Sequence, residues 1–384
     1  MAKLPLIVGL GGINAAGRSS GFHSYKRLLC DALTAEQMST TWTDLAHRMG
    51  FAKKEIDADV IAQLKAGTLI RRIETFDPDA VLYQRKTKLS GNEQPITFEL
   101  KKTKLPQTIP SNWTLTDLEK KRVKVTIEGE LDTLINDYIN YPVTSAGTAP
   151  RGFDPSKLYN SRSHPRGLQL TVYGASDALN SLGIDWDEIL NHINPDEVAV
   201  YAGSALGQVD ENSLGGMVGA YLKGGRVSTK MMAMSLAEMP ADFINSYVIN
   251  SVGTTGTNMG ACASFLYNLR QGMLDIQAGK ARVVIVGNAE APVVPDIMEG
   301  FRVMGALAED EQLKALDESD TVDNSRACRP FSTNAGFTIA ESAQFVVLMD
   351  DELALELGAN IYGSVADVFV NADANKKSIS APVS

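Results

Sequence analysis

From residue 166 onward, the sequence alternates between segments with helical spacing and short apolar runs typical of buried strands. The helical segments are 168–182, which Gly183 ends, and 262–278. The apolar runs are VAVYAG at 198–203 and RVVIVG at 282–287. A chain that alternates in this way covers both faces of its strands with helices. We therefore predict an α/β fold with a largely parallel central sheet.

Other segments add to this core. The apolar run at 4–10 predicts a first strand, and 336–349 and 360–370 predict a final pair of strands. Residues 25–165 are richer in charge, with lysine clusters and proline breaks, so we interpret them as an accessory insertion of mixed helices and short strands. The predicted domains are 1–24 (first core strand and turn), 25–165 (accessory insertion) and 166–384 (core).

The charge balance and the cysteine pattern exclude several classes of protein. A formal net charge of −10 over 384 residues argues against a nucleic-acid-binding protein, which needs a basic face. No apolar run approaches the length of a membrane span, and the N-terminus is interpreted as a strand rather than a signal peptide, so we expect a cytoplasmic protein. The three cysteines, Cys30, Cys262 and Cys328, are scattered without a CxxC pair, which predicts free thiols and no metal site.

The segment VGLGGINAAG at 8–17 follows the first strand and invites comparison with a dinucleotide-binding loop. Its spacing is not GxGxxG, because Asn14 occupies the place of the third glycine. No acidic residue ends a second strand about twenty positions later. We therefore interpret the glycines as a tight turn after the first strand and expect no bound cofactor.

Cys262 begins an apolar stripe on the predicted helix, followed by Leu266, Leu269, Met273 and Ile276. From spacing alone, it could be a small buried hydrophobic residue, as many single helix cysteines are. However, a Gly/Thr/Asn run precedes it, which places the thiol at a helix N-terminus where the dipole favours a thiolate. Its small neighbours leave space for a substrate, and backbone N–H groups of the first turn can stabilise an oxyanion. Both interpretations remain open at this point.

The segment around Cys262 resembles the nucleophile region of the β-ketoacyl-(acyl carrier protein) synthases. In that family a cysteine in an (S/T)ACA(S/T) element opens a helix, and an I..G..D..I.GG.E strand follows. Four further segments are similar to the family in the same order, and they are VAVYAGSALG (198–207), MEGFRVMGAL (298–307), RACRPFSTNAGFTIAESA (326–343) and NIYGSVADVFVNADA (360–374). The resemblance implies a thiolase-like layered α/β fold, with 166–384 as the N-terminal half of a duplicated core.

The sequence also departs from the family pattern. Gly260 stands where the family has Ser or Thr, Asn288 replaces the second glycine of the GG pair, and 332–335 lacks the Arg-Asp of the family hairpin. The family uses two histidines downstream of its cysteine, whereas the four histidines here all precede Cys262. We therefore expect the sequence to be the N-terminal half of a longer synthase. Such a chain could be a fragment, a truncated form, a clipped product or one subunit of a split enzyme.

The resemblance implies a decarboxylative condensation in fatty-acid biosynthesis. Cys262 would accept an acyl primer from acyl-CoA or acyl-ACP, and the resulting thioester would then react with malonyl-ACP. Phe301 and Met304 would line the acyl pocket, with Met232 near a subunit interface, although ordinary core packing is an equal alternative for the methionines. The implied assembly is a homodimer that binds acyl carrier protein, either at the lysine clusters of 101–104 and 120–124 or elsewhere if those lysines are only a solvated face. Two other functions remain open, a non-catalytic chain-length-factor-like partner and a thiolase-superfamily acyltransferase.

Overall fold

The computed structural model describes residues 3–22, 33–51 and 54–372 of the chain. These residues divide into two compact units, one formed by Met1–Phe76 with Val143–Ser384 and the other by Asp77–Pro142. The predicted accessory segment 25–165 therefore contributes to both units. Its role as a single insertion stays a prediction.

The strands are β1 Pro5–Asn14, β2 Gly17–Arg18, β3 Ile70–Arg72, β4 Val81–Lys101, β5 Trp113–Leu118, β6 Arg122–Ile139, β7 Ser145–Gly147, β8 Val198–Gly203, β9 Thr255–Gly256, β10 Val283–Glu290, β11 Ser342–Asp350 and β12 Gly363–Ser364. The α-helices are α1 Ala35–Arg48, α2 Ala58–Ala66, α3 Arg166–Asn180, α4 Trp186–Leu190, α5 Leu214–Gly219, α6 Met231–Met234, α7 Met239–Ile244, α8 Ser264–Gln277, α9 Pro295–Val303, α10 Asp310–Asp317 and α11 Asp351–Glu356. Short 3-10 turns occur at Ser20–Phe22, Lys102–Lys104, Pro155–Lys157, Pro195–Glu197 and Asn324–Arg326, and one π-helical turn at Asn245–Ile249.

The main sheet of the larger unit has seven strands in the order β12-β1-β11-β10-β8-β9, with β2 paired to β1. The α/β class is confirmed, but the prediction of a largely parallel sheet is wrong. Only β8 with β10 and β8 with β9 are parallel, whereas β11 runs antiparallel to both β10 and β1. Buried strands are apolar on both faces in either direction, so their composition does not encode strand direction.

The glycines of β1 allow close packing against α3. A Cβ atom at Gly11 would lie 2.3 Å from the backbone nitrogen of Ala178, and Gly12 has a φ of +147°, which favours glycine. The carboxylate of Asp177, also on α3, accepts hydrogen bonds from the Gly12 N–H at 2.9 Å and from the Ser20 hydroxyl at 2.8 Å. The interpretation of these glycines as a tight turn after the first strand is therefore wrong, because Gly9, Gly11 and Gly12 lie within β1, where Gly9 and Gly11 pack against α3.

The predicted final strands are only partly correct. The segment predicted at 336–349 forms a strand only from Ser342, and before it Phe337 and Ala340 form isolated bridges with Leu307 and Gly147. The segment predicted at 360–370 forms only the two-residue strand β12, and its large apolar side chains at Ile361, Tyr362 and Phe369 are exposed. Because these side chains do not pack into a sheet, a count of apolar residues overestimates the length of this strand.

The smaller unit, Asp77–Pro142, is a three-stranded antiparallel sheet in the order β4-β6-β5. Its core contains Val123, Val125 and Ile127, with the rings of Phe98 and Trp113 packed edge to face at 5.8 Å. Among the described residues no helix is long and apolar enough to cross a membrane.

Lysines from distant parts of the smaller unit meet at one end of its sheet. Lys101 pairs with Arg122 across β4 and β6, and the Lys102 N–H donates to the Lys121 carbonyl at 2.9 Å. Lys120 and Lys121 form the β5–β6 turn in the left-handed region, at φ +57° and +59°. The two sequence clusters therefore form a single basic surface, which comprises Lys101, Lys102, Lys104, Lys120, Lys121, Arg122 and Lys124.

Candidate active site

Cys262 lies in a tight turn two residues before α8, and its side chain is exposed. The turn is closed by hydrogen bonds from the Ala263 N–H to the Gly260 carbonyl at 3.0 Å and from the Ser264 N–H to the Ala261 carbonyl at 3.1 Å. Ala261 has a φ of +50°, which costs an alanine free energy and occurs where the surrounding contacts enforce it. The turn thus presents the thiol outward on a constrained backbone.

The prediction that Cys262 begins the buried face of the helix is wrong. Met273 and Ile276 are buried as predicted, but Leu266 is exposed like Cys262. The buried face instead consists of Ser264, Asn268, Gly272, Met273, Asp275 and Ile276. Because four of these six residues are polar or glycine, a count of apolar residues places the buried face incorrectly.

Ser264 stabilises the cysteine turn through two hydrogen bonds of its side chain. Its hydroxyl is completely buried, accepts a hydrogen bond from the Gly260 N–H at 3.0 Å and donates one to the Ala261 carbonyl at 2.7 Å. Both bonds satisfy backbone groups of the turn that precedes the helix. Gly260 is also fixed by packing, because a Cβ atom there would lie 2.4 Å from the ring of Tyr267.

Asn268, one turn further along α8, connects the cysteine turn to the sheet. Its side chain is fully buried, and its Oδ1 accepts a hydrogen bond from the Asn258 N–H at 2.7 Å. Its Nδ2 contacts Thr257 Oγ1 at 3.2 Å and Asn288 Oδ1 at 3.4 Å. Asn288 lies near the end of β10, and Thr257 lies directly beside Gly203, the last residue of β8. The cysteine turn is therefore anchored at the carboxyl end of the parallel strand pair, where open α/β sheets bind their ligands.

Glu290 ends β10 and lies at the same edge of the sheet. Its carboxylate accepts hydrogen bonds from the Ser204 hydroxyl at 2.9 Å and from the Ala205 N–H, so it joins the ends of β8 and β10. Burial raises the pKa of Glu290, and these hydrogen bonds oppose the rise. From the sequence we singled out neither Ser264, Asn268 nor Glu290 as a functional residue, although Glu290 occupies the acidic position of the GG.E pattern.

A family model for the beta-ketoacyl synthase N-terminal domain matches residues 107–354. The chain belongs to the beta-ketoacyl synthase family. It is 48% identical to the beta-ketoacyl-[acyl-carrier-protein] synthase FabY of Pseudomonas aeruginosa, over all of this chain and 63% of the relative. It is 29% identical to fatty acid synthase subunit alpha of Saccharomyces cerevisiae, over 62% of this chain and 12% of that protein.

Solved structures agree with this assignment. The crystal structure of the noncanonical ketosynthase FabY from P. aeruginosa superposes with a TM-score of 0.95 at 47% identity, over all of this chain and 63% of that one. A beta-ketoacyl synthase from Burkholderia phymatum shares the fold, with a TM-score of 0.55 at 17% identity over 94% of this chain and 62% of that one. The chain thus spans a little under two thirds of the length of these synthases.

Of the predicted acyl-pocket residues, Phe301 and Met304 lie together at the end of α9, and Met232 lies on a different helix. Phe301 is half-buried on α9, Met304 is half-exposed just after it, and Met232 is exposed on α6. A cleft of about 750 Å³ lies elsewhere and is lined by residues such as Arg71 and Asn324. The pocket assignment therefore stays a prediction.

Two of the described upstream histidines, His164 and His192, have partners of their own. The Nδ1 of His164 lies 3.1 Å from the Tyr159 hydroxyl, and its ring packs edge to face on Phe243 at 5.0 Å. Burial lowers the pKa of His164. The ring of His192 lies beside Glu188. His23 falls outside the described residues.

The remaining cysteines and possible metal ligands add little to the site. Cys328 is exposed and, like Cys262, a free thiol, as the scattered cysteine pattern predicts. Cys30 lies outside the described residues. Within 3–22, 33–51 and 54–372, no group of three or more His, Cys, Asp or Glu side chains is placed to hold a metal ion.

Proposed function

We propose that this chain carries the nucleophile of a β-ketoacyl-ACP synthase, and that the nucleophile is Cys262. The observation that carries the proposal is the exposed thiol on a constrained turn, anchored by Ser264 and Asn268 at the carboxyl end of β8 and β10. An exposed thiol is accessible to a thioester substrate. A fixed turn limits the motion that would otherwise reduce the rate of attack.

The proposed reaction has two stages. The Cys262 thiolate attacks the carbonyl of an acyl thioester, the tetrahedral intermediate collapses, and the donor thiol of CoA or acyl carrier protein leaves. Malonyl-ACP then loses CO2 to give an enolate, whose carbon attacks the acyl group on Cys262. The Cys262 thiolate is expelled as the 3-ketoacyl product forms, which restores the starting enzyme.

Condensation needs more than the nucleophile. The enolate places negative charge on the malonyl thioester oxygen, and loss of a single positioned donor to such an oxyanion typically costs on the order of a hundredfold to a thousandfold in rate. The described histidines His47, His164 and His192 have no recorded contact with Cys262 in the structure. We therefore propose that these donors come from the part of the synthase that this chain does not span.

The experiment separates the two stages. The purified 384-residue chain is incubated with acetyl-CoA, and the acetyl group is located by peptide mass spectrometry. We expect an adduct on Cys262 that the Cys262→Ala variant lacks and the matched Cys328→Ala variant retains. With malonyl-ACP, 3-ketoacyl product should form only when the part of P. aeruginosa FabY that this chain does not span is also supplied. Turnover without that part would refute the division of roles.

We also propose a cytoplasmic homodimer. Cys262 and Cys328 are both free thiols, which suits a reducing compartment. Large apolar side chains are exposed on and after α5, among them Val218 at 65%, Tyr221 at 88% and Leu222 at 70%. Exposed apolar patches of this kind mark interaction surfaces, and a second copy of the chain would cover this one.

Acyl carrier protein is the proposed partner of the basic surface defined above. Lys102 is paired with Asp117 at 2.8 Å and Arg122 with Glu99 at 2.9 Å. Within the described residues no recorded ion pair involves the other five lysines of this surface. An unneutralised basic surface on a protein of net charge −10 would attract an acidic partner.

A further inference from the structure

A fully buried asparagine and a half-buried one, on different elements, are joined behind the cysteine turn. Asn268 on α8 and Asn288 on β10 lie with Nδ2 and Oδ1 3.4 Å apart, and Asn268 is fully buried. A buried amide in a helix costs stability unless its hydrogen-bonding groups find partners. Each recorded partner of the Asn268 side chain lies outside α8, on β10 or on the segment 257–258.

That segment lies between strand β9 and the cysteine turn. Strand β9 ends at Gly256, and the chain reaches Cys262 through residues 257–261. The Asn258 N–H is held by Asn268 at 2.7 Å, and the Thr257 hydroxyl lies 3.2 Å from the same side chain. Asn268 therefore fixes the entrance to the cysteine turn, whereas Ser264 fixes the turn itself.

The Asn258 N–H sets the orientation of the Asn268 amide, and Asn288 completes it. An amide side chain can be placed with its oxygen and nitrogen exchanged, and the neighbours decide which arrangement is satisfied. Because the Asn258 N–H can only donate, the Asn268 oxygen faces it at 2.7 Å, and the Asn268 nitrogen is left to face the Asn288 oxygen on β10 at 3.4 Å. A glycine at 288, which the family pattern has, offers no such side-chain acceptor. The departure at Asn288 and the amide at Asn268 are thus two parts of one bridge.

We propose that Asn268 and Asn288 are positioning residues, which hold the Cys262 turn in register with the ends of β8 and β10. The proposal rests on the proposed function only in taking Cys262 as the nucleophile. Displacement of a reacting group by about 1 Å can cost on the order of a hundredfold in rate. We expect Asn268→Ala to reduce acetylation of Cys262 by about 10- to 100-fold. The Asn288→Gly variant, which removes one long contact, should reduce it by a few fold.

The experiment measures alkylation of Cys262 by iodoacetamide as a function of pH, with Cys328 in the same molecule as the internal standard. In Asn268→Ala and Asn288→Gly, the alkylation rate of Cys262 or the pH at which that rate is half-maximal should change. The alkylation of Cys328 should stay the same. Asn268→Asp keeps the oxygen that accepts from Asn258, so it should restore part of the rate. Asn324→Ala is the matched control, because it removes an amide that bridges the Thr144 and Ser145 hydroxyls away from the cysteine turn.

The results distinguish the possibilities. If the pH profile of Cys262 alkylation in Asn288→Gly is identical to that of the unchanged chain, the proposed bridge is wrong. An equal change in the alkylation of Cys262 and Cys328 would also contradict it, because it would indicate a general loss of stability. If Asn268→Ala does not fold, Asn288→Gly alone decides. A chain whose Cys262 takes no acetyl group from acetyl-CoA would instead contradict the proposed function, while the alkylation profiles would still test the positioning.

Discussion

Replacement of Gly260 by serine, the residue type that the family has at this position, should disturb the cysteine turn. A Cβ atom at 260 would lie 2.4, 2.7 and 2.9 Å from three ring carbons of Tyr267. Carbon atoms in favourable contact are about 3.5–4.0 Å apart, so the ring or the turn must move by about 1 Å. Overpacking of this kind typically costs about 1–3 kcal/mol, and we expect Gly260→Ser to lower the free energy of unfolding by that amount.

The assay is urea denaturation combined with alkylation of Cys262. Gly300→Ser is the matched control, because a Cβ atom at Gly300 meets nothing within 4 Å, and it should leave both measurements nearly unchanged. In a Tyr267→Ala background the clash partner is absent, so Gly260→Ser should then cost little. The double-mutant cycle should give a coupling energy of about 1–3 kcal/mol.

One result would refute this reasoning. If Gly260→Ser is as stable as the original chain in both backgrounds, the Tyr267 ring moves aside freely. The Tyr267 ring would then not be the reason for a glycine at position 260. A stability loss of equal size in both backgrounds would place its cause in the backbone of the turn rather than in the ring.

Three further predictions concern an ion pair and two surfaces. Burial tends to raise the pKa of Asp350, but the hydrogen bonds from Arg282 at 2.7 Å and from the Leu353 N–H, with the charges of Arg282 and Lys3, outweigh this and lower it. At a pH above the ordinary pKa of aspartic acid, Arg282→Ala should therefore lower the free energy of unfolding in urea by about 1–3 kcal/mol, because the carboxylate loses one partner while Lys3 still lies 3.4 Å away. That loss should fade as the pH falls and Asp350 is protonated; a pH-independent loss would contradict it. Replacement of Lys120 and Lys121 by glutamate should weaken carrier-protein binding in titrations at low salt and matter less at high salt; equal binding at low salt would reject the surface. Tyr221→Asp should shift the mass measured by light scattering from dimer to monomer, and an unchanged mass would place the interface elsewhere.

The sequence predicted best those elements whose signal is local. Strand β8 reads as an unbroken apolar run because both of its faces are covered, and its six residues are all buried. Helix α3 was predicted at nearly its observed length because its spacing is regular and Gly183 follows it. Cys262 was singled out as a candidate for a similar reason, because a thiol between small residues before a predicted helix can be recognised without a structure.

The features that sequence reasoning missed depend on contacts between distant residues. Asn268 and Asn288 are twenty positions apart, and either alone resembles an ordinary polar residue. The direction of β11 depends on how 291–341 returns to the sheet, which periodicity does not encode. The exposure of Cys262 was missed because the buried face of α8 contains Ser264, Asn268 and Gly272 rather than a continuous apolar stripe.

The polar residues behind Cys262 explain why the thiol faces outward. Ser264 and Asn268 occupy the side of α8 that meets the sheet, where apolar residues would otherwise pack, and they use that side to hold the backbone of the turn. A side chain at 262 lies on the opposite side of this support and is left exposed. The same arrangement exposes Leu266 one helical turn later. On our proposal that Cys262 is the nucleophile, the thiol is held by the residues behind it and accessible from the front, so we expect the surface that completes the reaction to approach along the exposed face of α8.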